Sequence, residues 1–136
     1  MKSPAPIALI ACEVFRSEID LLAAGANHIV ETRFYEIGLH DRPDEMRVRL
    51  QQEVTEMDGR HDIEAIVLAY GLCGCGTAGL RAARHPLVIP RAHDCITVFL
   101  GSKEVYAERQ SACPGCYYYT PGWNLARRLP GPDRLA

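Results

Sequence analysis

The chain has 136 residues, 48% of them hydrophobic, and its 15 Lys and Arg against 17 Asp and Glu leave a formal charge of −2. That describes one domain with enough apolar matter for a core, and nothing in the balance asks for a nucleic acid or an anionic membrane surface. No apolar run approaches the roughly 20 residues that a membrane-spanning helix needs.

Residues 1–15 hold one Lys and a short apolar run that passes straight into charge, which reads as a first strand rather than an export signal. The expectation is a cytoplasmic protein whose cysteines (Cys12, Cys73, Cys75, Cys95, Cys113 and Cys116) are metal ligands or reactive thiols before they are disulfides. Residues 7–12 (IALIAC) are continuously apolar, the pattern of a strand buried on both faces of a parallel sheet, with Cys12 and Glu13 at its carboxyl end. Ser17 is placed to cap a helix over 18–24 that Gly25 stops. Residues 31–37 (ETRFYEI) mix charge with β-formers and predict a strand nearer the sheet edge. Pro43 suits a first helical turn, Asp44 and Glu45 complement its dipole, Met46, Leu50, Val54 and Met57 recur on one stripe, and Gly59 ends it.

Residues 65–70 (AIVLAY) predict a buried central strand running into GLCGCGTAG. There Gly71, Gly74, Gly76 and Gly79 permit sharp turns and close backbone approach, while Cys73 and Cys75 set thiols at the strand's end. A short helix over 77–84 follows and breaks at Pro86, residues 87–89 form a fourth strand, and Asp94 caps a helix whose first turn holds Cys95. Gly101 and Ser102 divide that helix from another over 103–110. Residues 113–116 (CPGC) make a turn and 117–120 a fifth strand, which Pro121, Gly122 and Trp123 end. Residues 124–136 carry no stripe and read as a frayed tail.

This alternation predicts a single α/β domain over 1–136: an open, mostly parallel five-stranded sheet with helices on both faces, flavodoxin-like or Rossmann-like, in the order 2-1-3-4-5. Ligands in such sheets bind outside the carboxyl ends of the strands, near the point where strand order reverses. Cys12, Cys73 and Cys95 follow strands one, three and four, and neighbouring strands lie ~5 Å apart, so three thiols from distant parts of the chain are expected at one sheet edge. Clustered thiolates repel unless a cation neutralises them. Two groups fit that need. A [4Fe-4S] cluster held by three cysteines leaves one iron open to a small molecule, and a zinc ion takes its fourth ligand from His93, Cys75 or water.

Gly74, Gly76 and Thr77 are expected to bring backbone amides to that cofactor. Glu13, Arg91 and Asp94 line the rim, either to orient a ligand or move a proton, or as an Arg-Asp pair that satisfies loop carbonyls. Whether the site is catalytic stays open. The spacing of Cys113 and Cys116 suits a second ligand pair, a disulfide-capable turn or an incidental turn; with His93 they have ligands enough for a closed zinc site. Tyr117, Tyr118, Tyr119 and Trp123 are placed to wall a pocket or to pack one face of their strand. A flavin carrier is disfavoured, because the loop after the first strand, CEVFRSE, lacks a phosphate-binding pattern. A homodimer is compatible with all of this.

The strings IACEV (10–14), AYGLCGCGTAGL (69–80), LVIPRAHDCITVFLGSKEVY (87–106) and YYYTPGW (117–123) resemble the family designated domain of unknown function 1638 (DUF1638). The resemblance implies that Cys12, Cys73 and Cys95 are the recurring cysteines, the set already reached from strand position. It places Cys75 and Cys116, where the family shows Asn and Thr, outside any shared chemistry. It implies further helices past the PGW string, so that this chain reads as a short or truncated version. It carries no established activity, but an association with corrinoid-dependent methyl transfer gives a second reading, a non-catalytic zinc-binding accessory or carrier module.

Overall fold

In β1 (Ile7–Cys12) five successive residues, Ala8, Leu9, Ile10, Ala11 and Cys12, are buried. Neighbouring residues of a strand face opposite sides, so both faces of β1 are covered and it lies inside the sheet. The computed structural model, which describes residues 3–126, shows why. β2 (Ile29–Tyr35) pairs parallel with one edge of β1 and β3 (Ala65–Ala69) with the other, while β4 (Leu87–Val88) pairs parallel with β3. The result is an α/β fold on a four-stranded parallel sheet in the order β2-β1-β3-β4.

A 3-10 helix, Glu13–Phe15, leads from β1 into α1 (Arg16–Ala23), which begins without the expected side-chain cap from Ser17. α2 (Pro43–Asp58) carries the core stripe: Met46, Leu50, Val54 and Met57 are each fully buried. After β4 come α3 (Cys95–Leu100), capped by Asp94, and α4 (Lys103–Ala112), capped by Ser102, with Gly101 between them at a left-handed φ of 81°. No helix among the described residues is long and apolar enough to cross a membrane.

Two expected elements do not form. The segment 77–84 is a series of turns and bends instead of a helix, because side chains of α2 take up its backbone groups. Gln51 donates to the Arg81 carbonyl at 2.8 Å and accepts from the Arg81 amide at 2.9 Å, and Arg47 donates to the Ala78 carbonyl at 3.1 Å. The Asp58 carboxylate accepts from the amides of Ala83, Arg84 and His85 at 2.8 to 3.1 Å. Amides held this way need no helical carbonyl.

The fifth strand is also absent among the described residues: 117–120 are irregular. Thr120 instead caps α5 (Pro121–Leu125), its Oγ1 accepting the Trp123 amide at 3.1 Å. Thr followed by Pro is the signature of a helix start, and here it prevails over the β propensity of three tyrosines. Asn124 and Leu125, expected in a frayed tail, belong to this helix. The rest of that expectation, residues 127–136, lies outside the described residues.

Candidate functional site

The loop after β3 meets the loop after β4 backbone to backbone, and one residue permits it. A Cβ on Gly71 would lie 2.6 Å from the Asp94 Cα, closer than any side chain is tolerated. With glycine there, the Leu72 amide donates to the Ala92 carbonyl at 2.8 Å and the Cys73 amide to the His93 carbonyl at 2.9 Å. The chain then turns through three consecutive left-handed residues, Cys73 (φ 46°), Gly74 (φ 64°) and Cys75 (φ 68°). Glycine adopts this backbone readily; for two cysteines it is strained, and such strain clusters at functional sites. Thr77 ties the loop down, its hydroxyl donating to the Gly71 carbonyl at 3.3 Å, and Gly76 sits so close to Met46 that a Cβ would come within 2.6 Å of its sulfur.

The loops enclose a cavity of about 660 Å³ outside the carboxyl ends of the strands. Cys12 reaches it from the end of β1, Tyr70 and Cys73 from the loop after β3, and Cys95 from the start of α3. Glu36 and His40 line it from the stretch after β2. An aromatic wall of Phe15, Tyr117, Tyr118 and Trp123 closes another side. That wall is held by Gly122, where a Cβ would lie 2.1 Å from the Val14 carbonyl oxygen, so α5 packs flush on the 3-10 helix that follows β1.

Three thiols thus line one space, and Cys73 and Cys12 raise the cost of charge on Cys95. Burial first, then Cys73 and Cys12, then Asp94 push the Cys95 thiol up to about 12. Burial also raises Cys73, opposed by its contact with the Gly71 backbone and reinforced by Asp94. Beside them is Tyr70, 2% exposed, whose hydroxyl has no hydrogen-bond partner. Its phenol is pushed up by burial and then by Cys12 and Cys73, so it stays a donor. Across the cavity Arg49 grips Glu36 with two bonds, at 2.5 and 3.2 Å, and holds that carboxyl below its ordinary value.

Of the residues expected from the sequence, Cys12, Cys73, Cys95, Gly74, His93 and Asp94 line the cavity. The Asp94 carboxylate is committed to capping α3, accepting from the Thr97 amide and hydroxyl at 2.8 Å each. Cys75 is exposed and outside the lining, and Gly76 and Thr77 shape the loop from behind. Glu13 pairs with Arg16 at 3.2 Å on a separate, smaller cleft, and Arg91 is exposed away from the cavity. The Arg-Asp pairing expected at the rim gives way to the Asp94 cap.

Cys113 and Cys116 are joined in a disulfide, with Cα atoms 5.5 Å apart, so the pair does not provide thiolates for the closed zinc site drawn with His93. Among the described residues no group of three or more His, Cys, Asp or Glu side chains is arranged to hold a metal ion. Sequence reasoning missed Tyr70, Glu36 and His40. Tyr70 looked like the last apolar residue of a strand, and only its place one residue before Gly71 signalled proximity to the loop. Glu36 follows a strand end, the same signal that singled out the cysteines.

No curated protein and no solved structure matches the chain. Residues 34–130 match the family described as "Protein of unknown function (DUF1638)", a span that holds Cys73 and Cys95 and begins after Cys12. The match covers well over half of the chain, and the chain therefore belongs to the DUF1638 family.

Proposed function

We propose that this protein holds a [4Fe-4S] cluster through Cys12, Cys73 and Cys95, leaving one iron open to a small molecule in the same cavity. The observation that carries the reading is the shared cavity: three cysteines from the ends of three strands line it together with a buried, unpartnered phenol. Buried polar groups are kept without a partner only rarely, and then for a purpose such as an absent ligand. The donor chemistry fits as well. Soft thiolates suit iron and sulfide, and hydrogen bonds to sulfur are among the protein's means of tuning a cluster. Tyr70 is in the electrostatic field of Cys12 and Cys73 and is a suitable donor for that role.

A single ion would need its sulfur ligands within about 2.3 Å of one point, whereas a cluster places its own iron and sulfide between the cysteines. Among the described residues no three donors are arranged for a single ion, which favours the second. The proposal includes a flavodoxin-like doubly wound fold, supported by the parallel order β2-β1-β3-β4, in which the direction of winding reverses between β1 and β3. A small polar molecule of a few heavy atoms is the ligand class, with Glu36 and His40 available on the wall after β2.

Anaerobic purification with iron, sulfide and zinc analysis is the test. Brown protein with iron and sulfide in comparable amounts is expected, and Cys12→Ser, Cys73→Ser and Cys95→Ser should each abolish it to a similar degree, since ligands of one centre fail together. A colourless protein holding one tight zinc would replace this reading with the zinc-binding accessory module. Neither metal after reconstitution would sink both.

A further inference from the structure

The cavity has a fourth cysteine on its wall. Cys116 lines it along with Cys12, Cys73 and Cys95, and differs from them in being bonded to Cys113, which is exposed and outside the lining. The turn that carries the pair ends α4, with the Cys113 amide donating to the Arg109 carbonyl at 2.9 Å and the Cys116 amide to the Cys113 carbonyl at 3.1 Å. Four residues further on Thr120 caps α5, and two beyond it Gly122 anchors that helix against the 3-10 helix. The CPGC turn is therefore held at both ends, with Cys116 on the cavity wall. Both cysteines are exposed, and of the two only Cys116 lines the cavity.

We infer that Cys116 is a redox-controlled fourth ligand of the centre, masked by its bond to Cys113 in the oxidised state and released to close the open iron position when a dithiol reduces that bond. The inference rests on the cluster reading above and adds a regulation to it. The chemistry balances. A thiolate of the dithiol attacks the sulfur of the exposed Cys113 and displaces Cys116 as thiolate; the second thiol of the reagent then displaces Cys113, and the reagent leaves as its own disulfide. Two electrons and two protons pass to the cysteine pair. Cys116 gives up its proton to water on binding iron and displaces the small molecule or water there. The oxidised protein thus has three cysteine ligands and a reactive position, and the reduced one has the complete set of four that iron-sulfur clusters commonly use. Exchange requires access to one sulfur, and Cys113, exposed and outside the cavity lining, is a residue a dithiol can reach.

The test compares the parent chain, Cys113→Ser and Cys116→Ser, each reconstituted anaerobically with iron and sulfide and then challenged with citrate, with and without dithiothreitol. An iron held by no protein ligand is extracted by the chelator as Fe2+, and one-electron oxidation of the remaining three-iron cluster with ferricyanide then gives its EPR signal. Cys113→Ser, whose Cys116 is always released, should resist extraction in both conditions, and Cys116→Ser should lose iron in both. The parent should switch, losing iron without dithiol and resisting with it. If Cys113→Ser loses iron as readily as Cys116→Ser, Cys116 is not a ligand and the inference is overturned while the cluster stands. If no form takes up iron, the cluster reading itself has failed and this inference falls with it.

Discussion

Along the β2–α2 flank the buried polar groups are matched; at the carboxyl end of the sheet the hydroxyls of Tyr70 and Tyr118 are not. On the flank Glu53, 7% exposed, accepts from Arg33 at 2.5 Å and from the Tyr35 hydroxyl, while Arg33 reaches Glu31 at 2.7 Å and Glu56 at 2.8 Å. Arg60 extends the network to Glu31 and to Asp62, the latter at 2.6 Å. At the cavity Tyr70 has a buried hydroxyl with no partner, Cys73 takes left-handed backbone, and Cys95 is pushed toward its neutral form by burial and then by its neighbours. Folding alone accounts for the flank, where each burial is compensated. It does not account for the cavity, where strain and an unmet donor persist among otherwise consistent local choices, and such exceptions mark the place where a protein acts.

The difference can be broken from either side. The largest effect is expected from Leu50→Ala, which empties a fully buried position of α2 and should cost about 2–5 kcal/mol in denaturant unfolding. Iron bound per folded chain should stay unchanged, because the loss is to the frame alone. Gly71→Ala comes next at about 1–3 kcal/mol, since its methyl must displace the Asp94 backbone. Here iron per folded chain should fall sharply, as Cys73 is driven from Cys95. Normal loading would show that this backbone contact does not assemble the site.

Asp58→Asn probes the strap between α2 and the β3–β4 connection. The amides of His85, Ala83 and Arg84 hold this carboxyl at about 2, below its ordinary 3.8. A depressed value means stability that is present above the unfolded value and is lost as pH falls through the folded one. Urea midpoints of the parent should therefore drop between about pH 4 and pH 2. In Asp58→Asn the midpoint should start lower at neutral pH and change less across that window. An equal decline in both proteins would assign the acid sensitivity to other carboxylates.

The smallest effect has the opposite sign. Tyr70→Phe removes a buried hydroxyl that bonds to nothing and should stabilise the metal-free protein by about 1 kcal/mol, read as a raised thermal midpoint. After reconstitution the gain should vanish or reverse, because the phenol then has sulfur to bond. A gain that persists in the loaded protein would remove Tyr70 from the site.

Local periodicity and capping carried much of the frame. The stripe Met46, Leu50, Val54 and Met57 is buried as its spacing demands, and Asp94 and Ser102 cap their helices. Continuous apolar runs placed β1 and β3 in the middle of a parallel sheet, and strand ends then singled out Cys12, Cys73 and Cys95, all of which line one cavity. Glu13 and Arg91 satisfied the same rule of position and ended elsewhere, since a residue at a strand end can be turned away by the next bond of the chain.

What the amino-acid sequence determined by itself is the part of this protein governed by neighbours in the chain: the α2 stripe, the caps of α3 and α4, the parallel runs and the cysteines that follow them. Tertiary structure decided the rest. Residues 77–84 lost their helix because Gln51 and Asp58, more than twenty residues away, bind their amides, and the aromatic segment became a cavity wall because Gly122 fits against Val14. The Tyr70 hydroxyl was stranded by the packing around it, and Cys116 was brought to the wall by a turn anchored at both ends. Backbone groups and side chains accept whichever partner the fold delivers, and for these residues the partners come from distant parts of the chain.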